Sequence, residues 1–214
     1  MTGATTDRPG GRRGRKRLDT EQRREQLLRI GAELFAERPY DDVWIERVAE
    51  LADVSRGLLY HYFPTKRDFF AEVVRAEGRR LLGMTRTDPA LPLRDRLTYA
   101  LDVYLTYAEE HAQGYRAFHR AAASADDEIK QIFQEIFTEQ ERRIVAALEA
   151  RAEAGGTRPS SEGLRIAVRG WLSFATTVCL EWLEHRTLTR DQVRELCTHT
   201  LLGAVSAVPA RPEG

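Results

Sequence analysis

Val43-Trp44-Ile45-Glu46-Arg47-Val48-Ala49-Glu50-Leu51-Ala52-Asp53-Val54-Ser55-Arg56-Gly57-Leu58-Leu59-Tyr60-His61-Tyr62-Phe63 is the stretch that decides the fold. Apolar residues at helical spacing predict one short helix from Trp44 to Leu51 and a second from Ser55 to Phe63. The two meet at the tight turn Ala52-Asp53-Val54, which is the helix-turn-helix arrangement. Val48, Ala49 and Val54 are expected to pack the inside of that corner, with Ala49 small enough for close helix approach. Ser55 is a good N-cap, so the second helix opens with backbone N–H groups suited to a DNA phosphate.

With Val54, Leu59 and Phe63 turned inward, the helical period leaves Arg56, Gly57, Tyr60 and His61 on the outer face. Arg56 can donate two hydrogen bonds to a guanine edge in the major groove. Gly57 would let the helix approach the duplex closely, and Leu58 could pack on a thymine methyl. Tyr60, His61 and Lys66 can donate to phosphates. Tyr62 and Phe63 read as core aromatics.

Outward from this segment, Pro64 ends the second helix, and Thr65 with Asp68 has capping-box spacing for the next, which carries Phe69, Phe70, Val73, Val74, Leu81 and Leu82. That helix fades at Thr87-Asp88-Pro89. Upstream, Asp19 and Gln22 form another capping box, and Leu27, Ile30, Leu34 and Phe35 give a one-faced helix that Pro39 stops. Residues 1–18 lack any apolar pattern and read as a disordered basic arm. The chain carries no net charge, with 33 basic and 33 acidic residues, yet residues 1–29 hold nine basic side chains against four acidic ones. That asymmetry points to a polyanion contact at the N-terminal end.

The remainder repeats the same grammar with longer elements. Helices are expected near 92–111, 114–122, 125–153, 161–185 and 189–207, and no stretch alternates with period two, so the fold class is all-α with about nine helices. The organisation expected is an arm over 1–18, a helix-turn-helix domain over 19–64, a ligand-binding and dimerisation domain over 65–208, and a tail over 209–214. Tyr104, Tyr107, Phe118, Phe137, Trp171 and Phe174 are the aromatics expected to line a cavity in the larger part. Ile166 to Leu183 is apolar on more than one face and has small residues at Gly170, Ser173 and Ala175. The helices near 161–185 and 189–207 are therefore expected to pair with their copies in a homodimer.

Composition bounds the alternatives. With 42% apolar and 31% charged residues the chain reads as a globular protein. No secretory signal is evident, and the longest low-charge run, Gly170 to Leu180, is too short to span a bilayer, so a cytoplasmic protein without membrane contact is expected. Cys179 and Cys197 lie in apolar helical patterns without metal spacing, and His111, His119, His185 and His199 lack the clustering of a metal site. No cofactor is expected. An enzyme or ligand carrier with an incidental helix-turn-helix is the competing class, but no nucleophile–base pair or phosphate loop supports it.

The run from Val54 to Lys66, with its Tyr60-His61-Tyr62-Phe63-Pro64-Thr65-Lys66 extension, closely resembles the signature of the TetR (tetracycline-repressor) family. The resemblance implies a homodimer with an N-terminal DNA-binding head and a C-terminal ligand-sensing body. It also implies a repressor of operator DNA, released when a small molecule changes the spacing of the heads; an activator is the variant within the same family. Arg56, Gly57, Tyr60, His61 and Lys66 carry over as DNA contacts, beside Ser55 and Leu58 at the start of the same helix. Two positions depart from the pattern: Trp44 stands where the family commonly has a phosphate-touching Thr, and Asp53 replaces the usual turn Gly.

Overall fold

The computed structural model describes residues 19–38, 40–123, 127–155 and 159–210. The expected basic arm, Pro39 and the breaks at Ser124 and 156–158 lie outside the described residues, as does the tail beyond residue 210. The described residues form nine α-helices and no strand, so the all-α expectation holds. The helices are α1 (Thr20–Glu37), α2 (Ile45–Ala52), α3 (Arg56–Tyr62), α4 (Lys66–Met84) and α5 (Leu93–Glu110), then α6 (Ala112–Ala123), α7 (Asp127–Gly155), α8 (Ser161–His185) and α9 (Arg190–Ser206). One element was not foreseen, a single 3₁₀ turn at Tyr40–Asp42 between α1 and α2.

The helix starts follow the local chemistry of the chain. Asp19 with Gln22, Thr65 with Asp68, and Thr189 with Gln192 each form a complete capping box at the heads of α1, α4 and α9. Each satisfies two backbone or side-chain donors that the first turn would otherwise leave open, and such a cap is worth about 1 kcal/mol. Arg38, which precedes Pro39 in the sequence, is extended at φ −134°, ψ 151°, and ends α1. A residue before proline is driven out of the helical region by the clash with the proline ring.

Packing divides the apolar residues into two clusters. The first joins Leu27 and Phe35 of α1, Val48 of α2, Leu59 of α3, Phe63, and Phe69 and Phe70 of α4. Ile129 and Ile132 of α7 complete it from the middle of the chain. Its aromatic rings interlock edge-on, Phe63 with Phe69 and Phe35 with Phe70, both at 4.9 Å between centroids. Gly31 is required here: a Cβ at that position would come within 2.7 Å of Phe69 Cε1 and 2.9 Å of Val73 Cγ2.

The second cluster is built from α5, α8 and α9 around Leu101, Leu105, Leu164, Val168, Cys179, Val193 and Leu201. Both cysteines are buried and unpaired with each other. Between the clusters, α6 presses its N-terminal turn onto the end of α1. A Cβ on Gly114 would lie 3.2 Å from both the Cα of Ala36 and the carbonyl oxygen of Phe35. Only a glycine lets these two backbones approach so closely. Among the described residues no helix is long and apolar enough to cross a membrane.

Candidate DNA-binding face and body cavity

The corner between α2 and α3 depends on Asp53, which adopts the left-handed conformation at φ 53°, ψ 52°. Aspartate tolerates this region better than most residues, so the turn forms without glycine. The Asp53 N–H donates to the Glu50 carbonyl at 3.2 Å and the Val54 N–H to that of Ala49 at 3.0 Å, closing α2. Ser55 Oγ then accepts from the Leu58 N–H at 3.1 Å and caps α3. Leu59 and Phe63 are buried, which fixes the rotation of α3 about its axis.

That rotation leaves Ser55, Arg56, Gly57, Tyr60 and His61 exposed on one side, with Leu58 and Lys66 half-buried at its margins. Two of these side chains reach partners on other elements. The Tyr60 hydroxyl donates to Glu46 Oε1 at 2.7 Å, tying α3 to the first turn of α2. This bond is the main reason the Glu46 carboxyl is held below its ordinary range, with Arg56 and Lys66 adding to it. Lys66 Nζ donates to the Asp41 carbonyl at 3.1 Å and sits 4.6 Å over the Tyr40 ring, so it also anchors the 3₁₀ turn. Glu46 was missed in the sequence because nothing in its spacing marks a partner 14 residues away.

Trp44 is the most exposed large apolar side chain of the protein's described residues, at 76% of its full accessibility. It ends at a shallow depression shared with Arg38, Arg47 and Arg56, next to the acids Asp42, Glu46 and Glu50. It stands immediately before α2 with no side-chain cap of its own.

The larger part of the molecule holds a cavity of about 590 Å³. Its wall includes Phe35 and Ala36 from α1, Val73, Val74 and Leu81 from α4, and residues 85–87 between α4 and α5, and is completed by α5, α6, α7, α8 and α9. Five of the six aromatics expected at a cavity line it: Tyr104, Tyr107, Phe118, Phe137 and Trp171. Phe174 does not; it packs against the second core cluster. Helical rotation explains the difference. Trp171, Leu172, Ala175 and Thr176 span one arc of α8, and Phe174 falls on the flank beyond it.

Deep in the cavity the hydroxyls of Tyr104 and Tyr115 bond each other, and Cys179 lies beside them. Burial pushes both phenols well above their ordinary value and the Cys179 thiol to about 11, so all three are neutral. The Tyr107 hydroxyl donates to Glu77 of α4 at 2.8 Å, and its ring stacks on His111 at 4.5 Å. His119 lies among the rings of Tyr115, Phe118 and Phe133, and burial lowers it to about 4. Nearer the solvent, Arg142 and Arg143 both bind Glu139, whose carboxyl their hydrogen bonds hold at about 2. Arg143 also donates to the Leu82 carbonyl at 2.6 Å, capping the last turn of α4. Among the described residues no three His, Cys, Asp or Glu side chains are grouped to hold a metal ion.

The comparisons with known proteins agree with this arrangement. Residues 27–73 match the family profile described as bacterial regulatory proteins, tetR family, and residues 93–203 match the tetracyclin repressor-like C-terminal domain. The chain is 30% identical to the HTH-type transcriptional repressor KstR2 of Rhodococcus jostii (strain RHA1), over 85% of this chain and 86% of that one. It is 33% identical over 113 residues, half of each chain, to the HTH-type transcriptional activator FasR of Mycolicibacterium smegmatis. Among solved structures, a tetR-family transcriptional regulator from Streptomyces coelicolor superposes with a TM-score of 0.77 at 26% identity, covering 88% of this chain and 82% of that one. A capped recognition helix on an all-helical, cavity-bearing body, matched along most of its length, places the chain in the TetR family of DNA-binding transcription regulators.

Proposed function

We propose that the protein acts as a two-fold dimer that represses from operator DNA and leaves it when a small molecule fills the cavity. The observation that carries this reading is the cavity wall. Phe35 and Ala36 belong to the helix that supports the DNA-binding face, and they share a wall with the body helices. A ligand there touches both parts at once, so it can favour one head spacing over another, which is what linkage between two sites requires.

In this reading α3 enters the major groove, and its copy enters the next one about one helical turn away. Arg56 reads a guanine edge and Gly57, where an added Cβ would meet only Ser55 Oγ at 4.0 Å, allows the close approach. Ser55, Tyr60, His61 and Lys66 position the helix on phosphates, and Leu58 meets a thymine methyl at the margin.

The dimer forms through α8 and α9. Ile166, Gly170, Ser173 and Thr177 make an exposed stripe at helical spacing on α8, opposite its buried face. Leu196 and Gly203 do the same on α9. Nothing lies within 4 Å of a Cβ placed on Gly170 or Gly203. Small residues flanking exposed Ile and Leu suit close packing against a second copy.

A gel shift with the DNA upstream of the chain's own gene tests the reading, with Arg56→Ala beside the wild type. The variant is expected to lose about 1–3 kcal/mol of discrimination between operator and scrambled DNA. Unchanged discrimination would remove Arg56 from base reading, and a monomer at micromolar concentration by light scattering would remove the dimer. Expression that falls when the gene is deleted, rather than rising, would make the protein an activator.

A further inference from the structure

The cavity lining is mostly apolar, and two of its polar places differ in chemistry. At its solvent edge, between α4 and α5, stand Arg86 and Arg96. Arg96 donates through Nε to Thr87 Oγ1 at 3.0 Å, but among the described residues neither guanidinium has a carboxylate partner. Arg142 and Arg143, by contrast, share the carboxylate of Glu139, and Glu77 is engaged by Tyr107 and Arg80. The lining therefore carries four arginines against two carboxylates, and Arg86 and Arg96 are the two arginines without a carboxylate partner among the described residues.

At the other place, deep in the cavity, the polar groups are uncharged. Tyr104 and Tyr115 satisfy one another through their hydroxyls. His119 does not belong to that set: its ring touches Tyr115 at 4.4 Å between centroids, yet among the described residues its nitrogens have no hydrogen-bond partner. A neutral imidazole offers one donor and one acceptor. A purely apolar occupant would cut both off from water without replacing the bonds, which is unfavourable.

We propose that the cavity takes an elongated amphiphile, with an anionic head at Arg86 and Arg96, an apolar body, and a hydroxyl or carbonyl oxygen at its far end that hydrogen-bonds His119. This rests on the reading of the cavity as the ligand site given above and adds the ligand's chemical class. The volume equals the liquid share of about 20 water molecules, which suits a chain-like molecule of roughly 20 non-hydrogen atoms. The guanidinium pair supplies charge-assisted bonds to a carboxylate or similar anion at the edge, where solvent lowers the desolvation cost. His119 then adds selectivity for an oxygen at a fixed distance from that head.

Calorimetric titration of the full-length protein with ω-hydroxy fatty acids of about ten to sixteen carbons tests this, beside the plain acids and the α,ω-diols of equal length. The best-fitting hydroxy acid is expected to bind about tenfold more tightly than the plain acid, the worth of one buried hydrogen bond. It should exceed the diol by at least as much. His119→Phe should abolish the preference for the hydroxyl while leaving plain-acid affinity within about threefold, and His119→Gln should restore part of it. Arg86→Gln with Arg96→Gln should bring the acids down to the diol. Melting curves establish that the variants are folded. Equal binding of acid and diol, a hydroxyl preference that survives His119→Phe, or no saturable binding of any probe overturns the proposal. Operator release is followed in parallel. Binding without release supports the ligand class and refutes the release mechanism, whereas release by another molecule with no binding of these probes does the reverse.

Discussion

Replacing Gly31 by alanine sets two well-understood effects against each other at one site. In an exposed helix interior the exchange would stabilise by up to about 1 kcal/mol, because alanine restricts the unfolded chain. At Gly31 the new methyl would meet Phe69 Cε1 at 2.7 Å and Val73 Cγ2 at 2.9 Å, about 1 Å inside ordinary contact. Phe69 cannot swing aside. It has no accessible surface, and its ring is held between Phe63 and Phe35. Overpacking of this kind costs about 1–3 kcal/mol, so a net loss of roughly 1–2 kcal/mol is expected. Gly83, also in a helix but with nothing within 4 Å of a Cβ, is the matched control, and Gly83→Ala should be neutral or slightly stabilising. The two variants should then differ by about 2 kcal/mol, or roughly 4–8 °C in melting temperature for a chain of this size. Calorimetry at a single protein concentration measures the difference, which holds the contribution of the proposed dimer constant. If the Gly31 variant melts with or above the Gly83 variant, the argument that a rigid aromatic wall dictates glycine there is wrong.

Three other outcomes follow from features of the same molecule. Glu46→Gln removes a negative charge from the DNA face while keeping an acceptor for Tyr60, so fluorescence anisotropy should show several-fold tighter binding to any duplex at low salt, fading as salt rises. Thr198 is fully buried and its hydroxyl has no partner among the described residues, so Thr198→Val should raise stability by about 1 kcal/mol and melting by roughly 2–4 °C; a drop would mean the hydroxyl is satisfied. His119 is lowered to about 4 in the folded chain from an ordinary 6.5, so between those values the unfolded chain holds the extra proton and stability falls as pH falls. Denaturant titrations should show wild type losing up to about 3 kcal/mol relative to His119→Phe between pH 7 and pH 4, and parallel curves would refute the buried neutral imidazole.

The helix-turn-helix corner, with its proposed DNA-binding face, was legible in the sequence because its determinants are local. Ser55, the apolar phase of Leu59 and Phe63, and the turn at Asp53 lie within ten residues, and each specifies its geometry through neighbours along the chain. The capping boxes at Asp19, Thr65 and Thr189 were readable for the same reason. What escaped depends on partners remote in sequence. Glu46 meets Tyr60 across the corner, Lys66 reaches back to Asp41, and Arg143 caps α4 from 61 residues away. The cavity aromatics were partly readable, since buried rings cluster. Separating Phe174 from Trp171 needs the rotation of α8 against its neighbours, and periodicity alone does not supply it.

The close approach of Gly114 to Ala36 bears on how such regulators can be rebuilt. Sensor engineering often treats the reader of DNA and the reader of ligand as exchangeable parts joined at a seam. Here Phe35 and Ala36 are wall of the cavity and Gly114 is meshed with them, so a chimera cut between α3 and α4 would transplant a chamber with one side missing. A graft that carries residues 31–36 along with the body keeps the chamber whole. By the same logic, drift at these α1 positions is a route by which ligand preference can change without any substitution in the body.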